Sequence, residues 1–374
     1  MPEGFRVALA VPRRGPAGMF GPACRAAAHL GAEEVNDRGG VAGRPLELVD
    51  VDAGDEPARV ARVLDQAVRR GEVDAVVGWH LSSVRTAVAP VLAGRVPYVY
   101  ATAYEGGEEH DGVLCTGELP GEQVVAALGF LREQFGWRRW VVVGDDYVWP
   151  RATAAGAHRA LRRDGIELVG QHWVPLGCQD EDAWARLLEQ VGAVADGRGG
   201  PGGAGGVDGV LMLLAGADGV RFNREFAAAG LDEGLVRFSP FMDETMLLAS
   251  GPEATRGLFA SAGWFATLGS ASALEFSAGF ARSFDRVVDD APGLATPSPG
   301  TMAESTYLAL TLLADLGRRV PPSPADLGRA RAGWTWDTPH GAVRLRRGRA
   351  GHRVHVAAAV GLEFEVLAEV SGRR

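Results

Sequence analysis

Short apolar runs alternate, from the first residues onward, with segments in which apolar side chains recur every three or four positions. The runs "RVALAV" (6–11), "RPLELVDVD" (44–52), "VDAVVGW" (73–79) and "VPYVYATAY" (96–104) are predicted strands. The periodic segments between them, at 23–40, 56–71 and 82–94, are predicted helices. Strands that alternate with helices in this way are typical of a parallel sheet covered by helices.

The same alternation starts again near Pro120 and continues through the second half of the chain. Further strands are predicted at 140–146, 166–175, 207–215, 236–242 and 258–264. A chain of 374 residues also exceeds the roughly 250–300 residues at which a single core stops growing. The predicted fold class is therefore α/β, with two doubly wound parallel-sheet lobes around a ligand cleft. Lobe 1 is predicted to hold residues 4–119 plus 266–333, and lobe 2 residues 120–265 plus 334–374.

Three predicted strands end in aromatic and hydroxyl side chains, in "GWHLSS" (78–83), "YATAYEG" (100–106) and "GDDYVWP" (144–150). Ligands of open parallel sheets bind at the carboxyl ends of the strands, where a strand gives way to a helix. The candidate ligand-binding residues are His80, Ser82, Tyr100, Thr102, Tyr104, Tyr147 and Trp149. None is an arginine, so this set predicts a small, uncharged, polar ligand.

Each candidate also has a structural explanation. Ser82 is a natural helix N-cap, Tyr104 a natural core residue, and Glu105 belongs to "EGGEE", which is typical of a solvated acidic turn. His80 either titrates near its ordinary pKa of about 6.5 or stays neutral and hydrogen-bonded.

Composition excludes several functions. A net charge of -9 and the absence of lysine argue against direct nucleic-acid binding, and no apolar run reaches the roughly 18 residues of a membrane span. No metal or cofactor motif is present, because "GPGGAG" (200–205) precedes a strand instead of following one. No nucleophile with a base is evident either, so no cofactor is predicted and the protein is not predicted to be an enzyme.

The compartment is predicted from the cysteines and the N-terminus. Cys24, Cys115 and Cys178 form no CxxC pair, which favours free thiols in a reducing compartment. The first residues enter a strand directly, without a basic and apolar leader. Both observations predict a cytoplasmic protein. A leader upstream of this sequence would instead indicate an extracellular protein or a periplasmic-side lipoprotein.

Several segments resemble a known family nearly end to end. "EEVNDRGGVAGRPLELVDVDAGDEPAR" (33–59), "YATAYEG", "GDDYVWPR" (144–151) and "TPHGAVRLRRGRAGHR" (338–353) are similar to segments of the type I periplasmic-binding-protein fold, the Leu/Ile/Val-binding-protein superfamily. Within it they resemble the AmiC-like amide sensors and the urea and short-chain amide receptors. The resemblance implies that an amide lies between the lobes, against Ser82, Tyr100 and Thr102 of lobe 1 and Tyr147 of lobe 2. His80 and Trp149 stand where the amide sensor has tyrosine, and Ala103 replaces a proline.

The resemblance implies a receptor for a small neutral amide or urea-like molecule. In this interpretation a cytoplasmic sensor negatively regulates amidase-type gene expression, with an RNA-binding antiterminator protein as its partner and a homo-oligomer as an option. The alternative is the substrate-binding protein of an ABC importer for urea, short-chain amides or branched-chain amino acids. A third class, an amide hydrolase, would release ammonia from acetamide.

Overall fold

The computed structural model describes residues 4–195, 206–287, 299–318, 321–330, 335–338, 341–346, 349–351 and 353–370. The stretch "GPGGAG" (200–205), dismissed above as a cofactor motif, lies outside these residues. The chain divides into two compact units, Met1–Glu118 with Leu268–His352 and Leu119–Thr267 with Arg353–Arg374. Each unit contains a mainly parallel sheet with helices, so the predicted α/β class with two doubly wound sheets is confirmed.

The described strands, in chain order, are β1 (Phe5–Val11), β2 (Leu46–Asp52), β3 (Ala75–Gly78), β4 (Tyr98–Tyr100), β5 (Val113–Cys115), β6 (Arg139–Asp145), β7 (Glu167–Val174), β8 (Gly209–Leu213), β9 (Val236–Ser239), β10 (Leu258–Ala262), β11 (Thr335–Thr338), β12 (Gly341–Arg346), β13 (Arg349–Gly351), β14 (Val354–Val360) and β15 (Glu363–Val370). The described helices are α1 (Gly21–Asp37), α2 (Pro57–Arg69), α3 (Ser82–Leu92), α4 (Ala126–Phe135), α5 (Val148–Arg163), α6 (Glu181–Ala195), α7 (Ala217–Ala228), α8 (Glu244–Ser250), α9 (Ala271–Val287), α10 (Thr301–Leu316) and α11 (Pro324–Ala330).

The sheet of unit 1 has the strand order β11-β12-β13-β5-β4-β3-β1-β2. The chain passes from β1 to β2 in one direction and from β2 back past β1 to β3 in the other. Right-handed crossovers therefore place α1 and α2 on opposite faces of the sheet. Strands β1 and β3 are buried along nearly their whole length, and α1 packs against α9 and α10. This reversal of direction opens a crevice at the carboxyl ends of β1 and β3.

The sheet of unit 2 has the strand order β15-β14-β10-β9-β8-β6-β7 and repeats the same topology. Strand β6 pairs in parallel with β7 on one side and with β8 on the other. The direction of winding reverses there as well, so the corresponding crevice lies at the carboxyl ends of β6 and β8. The antiparallel hairpin β14–β15 completes the sheet beside β10.

Three expectations differ from the structure. Residues 334–352 were expected in lobe 2, but β11 to β13 extend the sheet of unit 1, because β13 pairs in parallel with β5. Strand β4 does not give way to a helix: residues 101–112 form an irregular connection that leads directly to β5. In "GDDYVWP", the helix already begins at Val148, so Trp149 lies in its first turn.

Among the residues that the structure describes, no helix is long and apolar enough to cross a membrane.

Candidate functional site

The predicted residues of unit 1 follow β3 and β4 at the crevice edge of the sheet. His80 and Ser82 come directly after β3, and Tyr100 ends the neighbouring strand β4. The backbone N–H of His80 donates to Thr102 Oγ1 at 3.1 Å, and the Tyr100 hydroxyl donates to the His80 carbonyl oxygen at 2.7 Å. The structure thus brings His80, Tyr100 and Thr102 together, through bonds that stabilise the edge itself.

His80 is a buried, neutral histidine. Its Nδ1 lies 3.2 Å from the Leu81 carbonyl oxygen and its Nε2 lies 3.0 Å from the Tyr98 hydroxyl. Because a carbonyl oxygen only accepts, Nδ1 carries the proton and Nε2 accepts from Tyr98. Burial lowers the pKa of His80 to about 4. Gly78 accommodates the ring closely, since a Cβ there would lie 2.6 Å from Nε2.

We expect the His80 ring to show no titration at neutral pH. Its folded pKa lies below its unfolded value of 6.5, so its contribution to stability is complete above pH 6.5 and is lost as the pH falls towards 4. Long-range ¹H–¹⁵N NMR of the imidazole should show a single neutral form from about pH 5.5 upward. A ring that titrates near 6.5, as a free histidine does, would contradict this assignment.

Ser82 is the first residue of α3, and the interpretation of Ser82 as the N-cap is wrong. The cap is Leu81, which offers no side-chain acceptor to the first turn. Ser82 is 2% exposed, and its Oγ has no hydrogen-bond partner among the described residues. A buried hydroxyl without a partner is costly unless a ligand or water satisfies it. The N-terminus of an 11-residue helix also carries partial positive charge and N–H groups without intrahelical acceptors.

Tyr104 is a buried residue whose ring meets that of Tyr100 edge to face, with the ring centroids 6.4 Å apart. The Arg85 guanidinium lies 5.6 Å from the centroids of both rings. It pairs with Glu105 at 2.5 Å and with Glu108. The side chains of Glu105 and Glu108 are only 10% and 3% exposed, so the interpretation of this segment as a solvated turn is wrong for both. This buried ion-pair network supports the rings of Tyr100 and Tyr104, which form the aromatic wall of the site.

Tyr147 and Trp149 belong to unit 2, at the carboxyl end of β6. Tyr147 is half-buried and is the N-cap residue of α5. Trp149 is 2% exposed and packs against Phe241, with the ring centroids 5.3 Å apart. Trp149 therefore contributes to the core of unit 2, and its contact with the ligand stays a prediction.

Sequence reasoning missed four buried carboxyl groups in unit 2. Asp145 and Asp218 are 0% and 2% exposed, and Asp243 and Glu244 are 1% and 4% exposed. Each lies at or shortly after the carboxyl end of β6, β8 or β9. An acid directly after a buried strand, as in "VVVGDD", was the available signal for Asp145. Among the described residues, no group of three His, Cys, Asp or Glu side chains could hold a metal ion.

The chain belongs to the periplasmic binding protein family, whose model matches residues 4–362. Its fold is similar to that of a solute-binding protein of an ABC transporter from Rhodopseudomonas palustris BisB5 in complex with 3,4-dihydroxybenzoic acid. The TM-score is 0.80 and the identity 20%, over 99% of this chain and 98% of that one.

Two further structures share this fold. One is the branched-chain amino acid transporter substrate-binding protein LivJ from Streptococcus pneumoniae in complex with isoleucine (TM-score 0.80, 17% identity, 99% of this chain and 100% of that one). The other is a solute-binding protein of an ABC transporter from R. palustris in complex with benzoate (TM-score 0.79, 18% identity, 99% of this chain and 97% of that one).

The predicted cytoplasmic location is wrong. The family is that of the periplasmic binding proteins, and the similar structures include solute-binding proteins of ABC transporters. The prediction rested on three cysteines that form no CxxC pair and on the first residues of the sequence, and neither feature defines a compartment.

Proposed function

We propose that this protein is the substrate-binding protein of an ABC importer and that its ligand is a small organic acid, bound through its carboxylate. The observation that carries this proposal is the Ser82 hydroxyl, which is buried at the N-terminus of α3 and, apart from its approach to the Tyr100 phenol, has no partner among the described residues. The Thr102 hydroxyl lies beside it at the same edge, since both side chains lie near the Tyr100 phenol.

The charge at this edge favours an anion over a neutral ligand. Burial raises the pKa of Tyr100 well above its usual value, so the phenol stays neutral and adds no negative charge. Helix N-terminal amides and serine or threonine hydroxyls together bind carboxylates without an arginine. Arg85 lies over the rings of Tyr100 and Tyr104, but Glu105 and Glu108 occupy its guanidinium; Arg349 also acts on Tyr104.

The ligands of the similar structures support this choice. Benzoate, 3,4-dihydroxybenzoic acid and isoleucine share a carboxyl group and an apolar body. An apolar body suits a site that also contains aromatic rings. The proposed ligand is therefore a carboxylate instead of the neutral amide predicted from the sequence. The proposed role, that of the substrate-binding protein of an ABC importer, is the alternative predicted from the sequence.

Replacing Ser82 with alanine is expected to weaken binding of the acid by roughly 10- to 150-fold, the worth of a hydrogen bond to a charged group. The measurement is isothermal titration calorimetry with benzoate, 4-hydroxybenzoate and isoleucine, each compared with its neutral amide. The matched control is Thr86→Ala on the same helix, whose exposed hydroxyl donates to the Ser83 carbonyl oxygen. This control is expected to bind like the wild type.

The amide series decides between the two ligand classes. If acetamide, urea or benzamide binds as tightly as benzoate, the proposal is overturned and the amide receptor predicted from the sequence is favoured. The antiterminator partner and the homo-oligomer stay predictions, and a pull-down with elution by the identified ligand tests the former.

A further inference from the structure

Two buried carboxyl groups lie at the crevice of unit 2. Asp145 is the last residue of β6, and Asp218 lies in the first turn of α7, which follows β8. The reversal of winding between β6 and β8 puts both at the edge where ligands of such sheets bind. Neither side chain has a cation as a direct hydrogen-bond partner among the described residues, which is unusual for acids this deeply buried.

Each carboxyl group is fixed by a backbone N–H from a different turn. Asp145 Oδ2 accepts from Ala215 N–H at 2.7 Å, and Asp218 Oδ2 accepts from Gly177 N–H at 2.6 Å. Both residues also bond to Ala215, whose carbonyl oxygen accepts from Asp218 N–H at 3.2 Å, and this brings the two carboxyl groups within hydrogen-bonding reach of each other. The pair therefore joins the turns that follow β6, β7 and β8.

Two ionised carboxylates cannot form this contact, because both would only accept. One of them must carry a proton, and its loss would leave two buried negative charges side by side. Burial, together with the charge of Asp218, raises the pKa of Asp145 well above its usual value, and burial raises that of Asp218.

The charged surroundings do not offset this repulsion. Arg221 is the one cation that acts on Asp218 among the described residues, and it is already paired with Glu181 and Glu225. Titratable or charged groups near the same turns include Asp146 and Arg151 next to Tyr147, His172 on β7, Asp243 at the N-cap of α8 and Glu244 in its first turn.

The turn that carries Tyr147 is attached to this pair. Tyr147 N–H donates to the Asp145 carbonyl oxygen at 3.0 Å, and Asp146 N–H donates to the Val174 carbonyl oxygen at 2.7 Å. We propose that the proton shared by Asp145 and Asp218 positions Tyr147 for ligand binding, so that losing it loosens this turn and weakens binding. This inference rests on the proposed function and on the ligand contact of Tyr147 that the resemblance implies.

The test is the affinity for benzoate from about pH 5 to about pH 9, over which benzoate stays a carboxylate. We expect the dissociation constant to stay constant at the acid end of this range. At higher pH it should rise by at most ~10-fold per pH unit, the limit when binding requires one proton. In Asp218→Asn the amide donates to Asp145 Oδ1 and its oxygen still accepts from Gly177, so no shared proton is needed. Its profile should rise less steeply than that of the wild type, because only the burial of Asp145 still raises the pKa of that group.

Asp146→Asn is the matched control, because Asp146 lies in the same turn but is exposed and paired with Arg151. It should keep the wild-type profile. If Asp218→Asn does not fold, Asp145→Asn, which preserves the same bonds, is measured in its place. A flat wild-type profile, or a wild-type slope in the Asn variants, overturns the inference.

Hydrogen exchange of the Asp146 and Tyr147 amides, without ligand, separates this inference from the proposed function. After correction for the intrinsic effect of pH on exchange, the exchange rates of these two amides should rise at alkaline pH in the wild type and not in Asp218→Asn. If no acid binds at any pH but this exchange pattern appears, the proposed ligand is wrong and the proton-dependent turn stands. If the pattern is absent, the inference fails whatever binds.

Discussion

Replacing Arg85 with methionine is expected to lower the free energy of unfolding by about 3–5 kcal/mol. The side chain is 5% exposed and neutralises the two buried carboxylates of Glu105 and Glu108. Methionine fills much of the same space but leaves both acids without a cation. Because burial favours the protonated form of an unpaired carboxylate, the loss should shrink as the pH falls.

Urea unfolding followed by circular dichroism measures the effect, with Arg69→Met as the matched control. Arg69 pairs with Asp65 at 2.9 Å, but its side chain is 71% exposed. An exposed ion pair of this kind contributes about 0–1 kcal/mol. Equal stabilities of the two variants would show that the Arg85 network does not stabilise unit 1.

The Arg85 network also shows where sequence reasoning ends. Ser82 and Arg85 stand three positions apart on α3, so they share a helix face, and that much is visible in the sequence. The acids that pair with Arg85 come from the connection between β4 and β5, which has neither helical nor strand periodicity. No local pattern distinguishes a buried glutamate in such a segment from a solvated one.

The fold itself was accessible because its main signals are local. Long Val-rich runs such as β1 and β6 and periodic helices such as α2 and α5 can each be recognised within a window of a few residues. Three-residue strands such as β5 and β13 are too short for any period. The pairing of β13 with β5 joins positions more than two hundred residues apart, so the place of the β11–β13 segment could not be predicted.

The candidate site divides in the same way. Strand ends are predictable, so His80, Tyr100 and Thr102 were correctly placed at one edge of unit 1. Which hydroxyl remains available is not predictable, because it depends on the bonds of the folded chain. The Tyr100 hydroxyl is used by the His80 carbonyl oxygen, whereas Ser82 Oγ has no partner among the described residues. That difference changed the proposed ligand from an amide to an acid.

Unit 2 is expected to lose stability as the pH rises from about 4 to about 8, by several kcal/mol in total. Burial raises the pKa of Asp243 to about 7, and burial together with the charge of Asp243 raises that of Glu244 to about 8. Both values lie above those of the unfolded chain, so the folded state binds these protons more tightly. Their contribution is complete below about pH 4 and is lost as the pH rises through 7 and 8. Each unit of pKa difference corresponds to about 1.36 kcal/mol.

The double variant Asp243→Asn, Glu244→Gln isolates this effect. Both replacements keep the observed acceptors, since Asp243 Oδ1 accepts from Met246 N–H at 3.1 Å and Glu244 Oε1 accepts from Ala266 N–H at 2.7 Å. Neither replacement titrates. Unfolding free energies should fall in the wild type from about pH 4.5 to about pH 8, level off above that, and change much less in the variant.

The contribution of His80, whose pKa is lowered to about 4, changes below pH 6.5 in both proteins and therefore cancels in the comparison. Glu253→Gln, which removes an exposed carboxyl group from the same unit, serves as the control and should keep the wild-type slope. If the double variant keeps it too, the protons of Asp243 and Glu244 do not stabilise the fold. The loss of stability with rising pH would then come from other groups of the chain, and Asp145 and Asp218 are the first to test.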